Sequence, residues 1–259
     1  MNLNIKNKII IITGGAKGIG EGIALKLAEE GAIPVIVGRN KADNELVVNK
    51  VTSMGGRAFQ VEAELSSNEA CKAAVEAVRT EFGRIEGLVN NAGVNDGVGL
   101  QSGSYEDFVA SLHKNLIHYY LMAHYALPDL IASKGAIVNI GSKTAETGQG
   151  NTSAYAASNG GRNALTREWA VELLPYSIRV NAVIVAECYT PLYDKWIKTF
   201  PNPDQKLTSI TDKIPFEKRM TTAEEIANMV VFLLSDCSSH TTGQLIHVDG
   251  GYVHLDRAL

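Results

Sequence analysis

The chain has little cysteine, no excess of basic charge and no long hydrophobic run, and each shortage excludes a class of function. Cys71, Cys188 and Cys237 are odd in number and far apart, so they form neither a disulfide framework nor a CxxC metal or redox pair. Unlinked thiols suit a reducing compartment, and a cytoplasmic protein is expected. Lys and Arg total 24 against 28 Asp and Glu, a formal net charge of -4 that lacks the basic footprint of a nucleic-acid binder. No stretch approaches the ~20 apolar residues that span a bilayer. Met1 to Lys8 has no apolar core of signal-peptide length, so neither export nor membrane insertion is expected, and the sequon Asn151-Thr152-Ser153 carries no weight. Repeats, low-complexity segments and charge blocks are absent as well.

What is present is a rhythm of short apolar runs and longer amphipathic stretches. Strands are expected at Lys8–Thr13, Pro34–Gly38, Ala58–Val61, Leu88–Asn91, Ala136–Ile140, Ile178–Ile184 and Gln244–Val248. Helices are expected at Gly18–Glu30, Asn68–Phe82, Tyr105–Ile131 (one helix or two), Ser153–Leu174 and Glu224–Leu234. Continuously apolar strands alternating with helices predict a parallel sheet covered on both faces. No linker interrupts the pattern, so residues 1–259 read as one doubly wound α/β (Rossmann) domain with a mostly parallel seven-stranded sheet. The segment 188–215 breaks the rhythm. It holds Pro191, Pro201, Pro203 and Pro215 together with Tyr193, Trp196 and Phe200, at the carboxyl side of the sheet where such folds bind ligands, and reads as a substrate lid.

The turn Thr13-Gly14-Gly15-Ala16-Lys17-Gly18-Ile19-Gly20 joins the first strand to the first helix. Gly14 permits the tight turn, Gly18 lets the backbone approach a pyrophosphate, and Gly20 lets the helix pack on the sheet. The helix N-terminus then offers free N–H groups and a partial positive charge to phosphates. The second strand ends Gly38-Arg39-Asn40, with no acidic residue to accept from ribose hydroxyls. A guanidinium can grip a 2′-phosphate, so Arg39 favours NADP, with NAD the alternative.

The Gly-x-x-x-Gly-x-Gly spacing resembles the short-chain dehydrogenase/reductase family. Further matches run along nearly the whole chain: Asn90-Asn91-Ala92-Gly93, Glu64-Leu65, Thr190-Pro191 and Val248-Asp249-Gly250-Gly251. The Pro-Gly that usually precedes Thr-Pro is here Val185-Ala186. The resemblance implies a cofactor site built from Gly14, Lys17, Gly18, Ile19, Gly20, Arg39, Glu64, Leu65, Asn91, Ala92, Gly93, Tyr155, Asn159 and Thr190. It implies Ser142 to polarise the substrate oxygen, Tyr155 to transfer the proton and Asn115 to hold a water relay. Hydride transfer to a nicotinamide requires the attached hydroxyl to lose its proton in step. Tyrosine, with a free pKa of about 10, is a poor base at neutral pH. In the family a lysine four residues later, on the same helical face, favours the tyrosinate and binds the nicotinamide ribose. Here that position is Asn159, so impaired proton transfer is expected, with Lys143 or Arg162 as substitute cations.

Asn91–Asp96, Gly148–Ser153, Arg167–Val171 and His254-Leu255-Asp256-Arg257 are similar to the L-fucose dehydrogenase subgroup. That implies oxidation of an anomeric hydroxyl to a lactone. Asn95, Asp96, Gln149 and Glu187 would supply polar contacts, joined by Ser142 and Tyr155, with Tyr193 or Trp196 facing the sugar ring. His247 and His254 have no third ligand at a convincing spacing, so no metal is expected. Three functions stay open: a sugar dehydrogenase, a reductase of 3-oxoacyl or steroid-type substrates, and a non-catalytic dinucleotide-binding protein. The resemblance also implies a homotetramer pairing through Tyr105–Ile131 and Ser153–Leu174.

Overall fold

The first strand, β1 (Ile9–Thr13), reads IIIIT and is buried along its whole length. Its side chains alternate between two cores, because successive Cβ atoms of a strand point to opposite faces. Ile9 and Ile11 join one core; Ile10 and Ile12 join the other. Full burial of each such side chain contributes about 2 kcal/mol. The computed structural model describes residues 2–255, so Asp256 and Arg257 of the C-terminal motif lie outside it.

The remaining strands are β2 (Ile33–Gly38), β3 (Phe59–Glu62), β4 (Gly87–Asn90), β5 (Ala136–Ser142), β6 (Arg179–Val185) and β7 (Leu245–Val248). They form one sheet in the order β3-β2-β1-β4-β5-β6-β7, and every pairing is parallel. The chain therefore winds outward twice, first toward β3 and then toward β7. The crevice at the carboxyl ends of β1 and β4 is the switch point.

One face is covered by α1 (Gly18–Glu29), α2 (Lys41–Ser53) and α9 (Ala223–Leu234), which bury Ile23, Leu27, Val47, Ile226 and Val230. The other is covered by α3 (Asn68–Phe82), α5 (His118–Ser133) and α6 (Ser153–Glu172), with Val75, Val78, Met122 and Trp169. Local chemistry fixes several ends. Ser67 caps α3 by accepting from Ala70 N–H at 3.2 Å, and Thr222 with Glu225 forms a capping box on α9.

The helical stretch expected at Tyr105–Ile131 is α4 (Tyr105–Leu112), a π-helical turn at His113–Ile117 and α5 in unbroken succession. The segment 188–215 is not an irregular loop. It folds into α7 (Pro191–Ile197) and α8 (Pro203–Thr211), each with proline in its first turn, where the missing N–H costs nothing. Among the described residues no helix is long and apolar enough to cross a membrane.

Candidate active site

The glycine turn is tied to the end of β4 by side chains. Buried Thr13 accepts from Asn91 N–H at 2.9 Å and Ala92 N–H at 3.0 Å. The Asn91 amide donates back to the Thr13 and Gly14 carbonyls at 2.9 and 3.2 Å. This lattice holds Gly14, Ala92 and Gly93 around the switch-point crevice. Thr13 is thus a site-building residue that spacing arguments passed over; its hydroxyl at a buried strand end was the available signal.

Lys17 occupies the N-cap position of α1 and makes no side-chain cap, so the helix's first N–H groups are not closed off by it. Its ammonium lies 2.5 Å from Asp43. Gly18, at φ +57°, turns the backbone where a Cβ would meet Thr190 Cγ2 at 3.0 Å, which places Thr190 against the glycine turn. Thr190 in turn caps α7, accepting from Tyr193 N–H at 3.2 Å. Ile19 packs against the core and Leu65 is buried. Arg39 is exposed at the tip of β2, 3.5 Å from Glu64. An uncapped helix N-terminus, a glycine turn and flanking cations fit the diphosphate and ribose of a dinucleotide.

The residues expected to act on substrate sit on neighbouring elements. Ser142 ends β5, its Oγ accepting from Thr144 N–H at 3.3 Å and the Thr144 hydroxyl at 3.1 Å. Tyr155 is half-buried in the first turn of α6. Asn115 lies in the π-helical turn, fully buried. Its Oδ1 accepts from Val94 N–H at 2.8 Å, and its amide donates to the Ser111 carbonyl at 3.1 Å.

Asn159 is fully buried as well. Its amide donates to the Tyr155 carbonyl at 2.9 Å and its Oδ1 accepts from Arg162 Nη1 at 3.0 Å. In this arrangement both ends of the side chain are engaged within the protein. Arg162 links the group: Nε donates to the Asn115 carbonyl at 2.6 Å and Nη1 to the Ile140 carbonyl at 3.2 Å. Its guanidinium lies 4.2 Å over the Tyr119 ring and 6.0 Å from the Tyr155 ring centroid. Gly93 approaches so closely that a Cβ there would lie 2.9 Å from both Arg162 Nη2 and Asn115 Oδ1. Burial pushes the Tyr119 phenol up to about 12. Burial, reinforced by the Arg162 charge, pushes the His118 imidazole down to about 4.

The expected substrate residues divide. Lys143 is buried and ion-paired with Glu187, and its ammonium sits 3.8 Å above the Tyr252 ring. Tyr193 and Trp196 of α7 and Phe200 just beyond it stack edge to face, with centroids 5.1 and 5.0 Å apart. Burial first, and then the Glu187 charge, raise the Tyr193 phenol above its ordinary value. Asp96 instead accepts from Ser111 Oγ at 2.8 Å and pairs with Lys114, which anchors its loop to α4. Asn95 and Gln149 are exposed.

Comparison with known proteins agrees with this geometry. Residues 14–253 match the family described as Enoyl-(Acyl carrier protein) reductase. The 3-oxoacyl-[acyl-carrier-protein] reductase FabG of Thermotoga maritima is 33% identical over 252 residues, covering 97% of this chain and 100% of its own. Among solved structures, Cj0485 dehydrogenase superposes with a TM-score of 0.94 at 48% identity, covering 100% of this chain and 99% of that one. The aldohexose dehydrogenase of Thermoplasma acidophilum superposes with a TM-score of 0.90 at 28% identity, covering 99% and 98%. Glycine turn, sheet order and relatives agree that the chain belongs to the short-chain dehydrogenase/reductase family of oxidoreductases.

Proposed function

We propose that this chain oxidises a sugar hydroxyl with a nicotinamide dinucleotide, L-fucose or a similar aldose going to its lactone. The observation that carries the reading is the Lys143–Glu187 ion pair next to Ser142, with the Tyr252 ring under the ammonium and Tyr193, itself packed on Trp196, beside Glu187. A polar pair with aromatic walls suits a polyol, whereas an acyl or steroid site prefers a mainly apolar lining. Trp196 faces the ring as part of a lid made by α7 and α8. The similarity to FabG supports the reductase alternative, and loss of the usual lysine supports the non-catalytic one.

Bound across the glycine turn, the nicotinamide would accept the hydride. Ser142 donates a hydrogen bond to the substrate oxygen, and Tyr155 takes the hydroxyl proton as the C–H pair leaves as hydride. Arg39 supports NADP. Its pairing with Glu64, and that of Lys17 with Asp43, favour NAD as the second reading, because both carboxylates would repel a 2′-phosphate. Three thiols without disulfides support a cytoplasmic setting.

Asn159 carries no charge, and we place the turnover of this chain below that of a lysine-bearing relative. Lys143 is committed to Glu187, so Arg162 is the substitute cation. The test restores lysine in Asn159→Lys, alone and with Arg162→Met to remove the adjoining like charge. Turnover is followed as NADH or NADPH formation with L-fucose and other aldoses, and as consumption with an acetoacetyl thioester. Turnover should rise on the order of 10²–10⁴-fold, the usual worth of positioned proton transfer. Unchanged turnover in both variants rejects impairment. Thioester reduction without aldose oxidation rejects the sugar assignment, and cofactor binding without any turnover selects the non-catalytic alternative.

A further inference from the structure

Two histidines that sequence spacing left without a third ligand acquire one in three dimensions. His247 is on β7, paired in register with Ile184. His254 follows in the C-terminal turn. Glu146 comes from another part of the chain, closing the 3₁₀ turn after β5. His247 Nε2 lies 3.1 Å from each Glu146 carboxylate oxygen. The His247 and His254 rings meet edge to face with centroids 4.4 Å apart. One ligand atom from each of the three residues falls within a 4.8 Å span.

We propose that Glu146, His247 and His254 form a binding site for a divalent transition-metal ion of the zinc class. Two imidazoles and one carboxylate are a donor set that such ions take with three protein ligands, leaving further positions for water. Metal–ligand distances of ~2.0–2.2 Å place neighbouring ligand atoms of a tetrahedral site about 3.4 Å apart. The Glu146–His247 separation already meets that figure. His254 is exposed and closes the rest by side-chain rotation.

The backbone beneath each ligand is fixed. Glu146 N–H donates to the Lys143 carbonyl at 2.8 Å. Asp249 clamps the C-terminal turn by accepting from Gly251 and Val253 N–H at 2.8 and 2.9 Å. A bound ion would tie this turn to the segment that follows Ser142, on the carboxyl side of the sheet. The site does not depend on which substrate is oxidised, so it stands or falls apart from the sugar assignment.

The test uses the untagged full chain after chelator treatment and dialysis. Zn2+ is titrated by calorimetry, and Co2+ by its visible absorption, which reports coordination by nitrogen. One ion per chain is expected, with a rise in Tm. Loss of even a supporting partner costs ~10–100-fold in metal affinity, so His247→Gln and His254→Gln should each cost on the order of 100-fold or more. His240→Gln, exposed elsewhere on the surface, should bind like the parent. Dinucleotide binding without metal verifies that each variant is folded. No stoichiometric binding, or binding that His247→Gln and His254→Gln leave unchanged, overturns the proposal and reduces the cluster to a hydrogen-bonded His–Glu pair.

Discussion

Arg162 shows how much a single residue decides here. Its side chain is buried, yet among the described residues its hydrogen bonds all end on uncharged oxygens of Asn115, Ile140 and Asn159. A desolvated cation without a carboxylate is costly, and good hydrogen bonds with aromatic faces only partly offset that cost. The Arg162 guanidinium, 6.0 Å from the Tyr155 ring centroid, is the cation placed to offset negative charge that develops as the phenol relays the proton. Arg162→Met is therefore expected to lower kcat at pH 7 by up to about 100-fold, the usual worth of one positioned electrostatic contact, with partial recovery at pH 10, where bulk base takes the proton unaided. Lys143→Met should instead raise KM, because it strands Glu187. Equal effects of Arg162→Met at both pH values would leave the guanidinium a packing role only. The sequence brought Arg162 forward only as one of two substitutes, since its spacing from Asn159 is visible but its burial is not. Glu146 was invisible for another reason: it reaches His247 across 101 positions of chain, and no local pattern encodes that.

Elements were legible wherever apolar periodicity was strong and obscure where it was weak. The stripe Ala70, Ala74, Val75, Val78 and Phe82 predicts α3 end to end, and the structure adds Cys71 to its buried face and Ser67 as its cap. α2 was passed over because KADNELVVNKVTS is mostly polar and buries only Asn44, Val47 and Val51; its signal was the Asn40 cap, which accepts from Asp43 N–H at 2.9 Å. The π-helical turn at His113–Ile117 was not singled out either, because it offsets the apolar spacing by only one position inside a stretch that is helical on both sides. That turn leads into α5, whose first residue His118 is kept neutral by burial, with its Nε2 2.9 Å from the Lys114 carbonyl. The folded imidazole titrates at about 4, below its usual 6.5. The unfolded state therefore binds the proton first as pH falls, and stability is lost progressively between pH 6.5 and 4. The loss can reach about 3 kcal/mol. Urea unfolding at pH 7 and pH 4.5 should show a steeper decline for the parent than for His118→Gln; parallel declines would assign the acid sensitivity to other groups.

For the whole molecule, the seven strand runs and the glycine turn made the doubly wound fold readable, because a buried parallel sheet requires continuous apolar strands with helices between them. Tyr105, Phe108 and Tyr120 on α4 and α5, and Val171 on α6, are exposed, with Tyr105 at 77% and Val171 at 67%. Large apolar side chains on adjoining helices mark a surface for association more than for solvent. These are the helices through which the resemblance implies a homotetramer, and we extend that reading to this chain. Light scattering should give a mass four times 27.8 kDa. Tyr120→Glu with Val171→Glu places two carboxylates in the paired face, where desolvation opposes association, and should shift the mass to half or a quarter of that value. Because α6 also carries Tyr155 and Asn159, turnover should fall in step with the mass. A parent protein already at 27.8 kDa in dilute solution, with undiminished turnover, would show that the site is complete within one chain and that these side chains serve another partner.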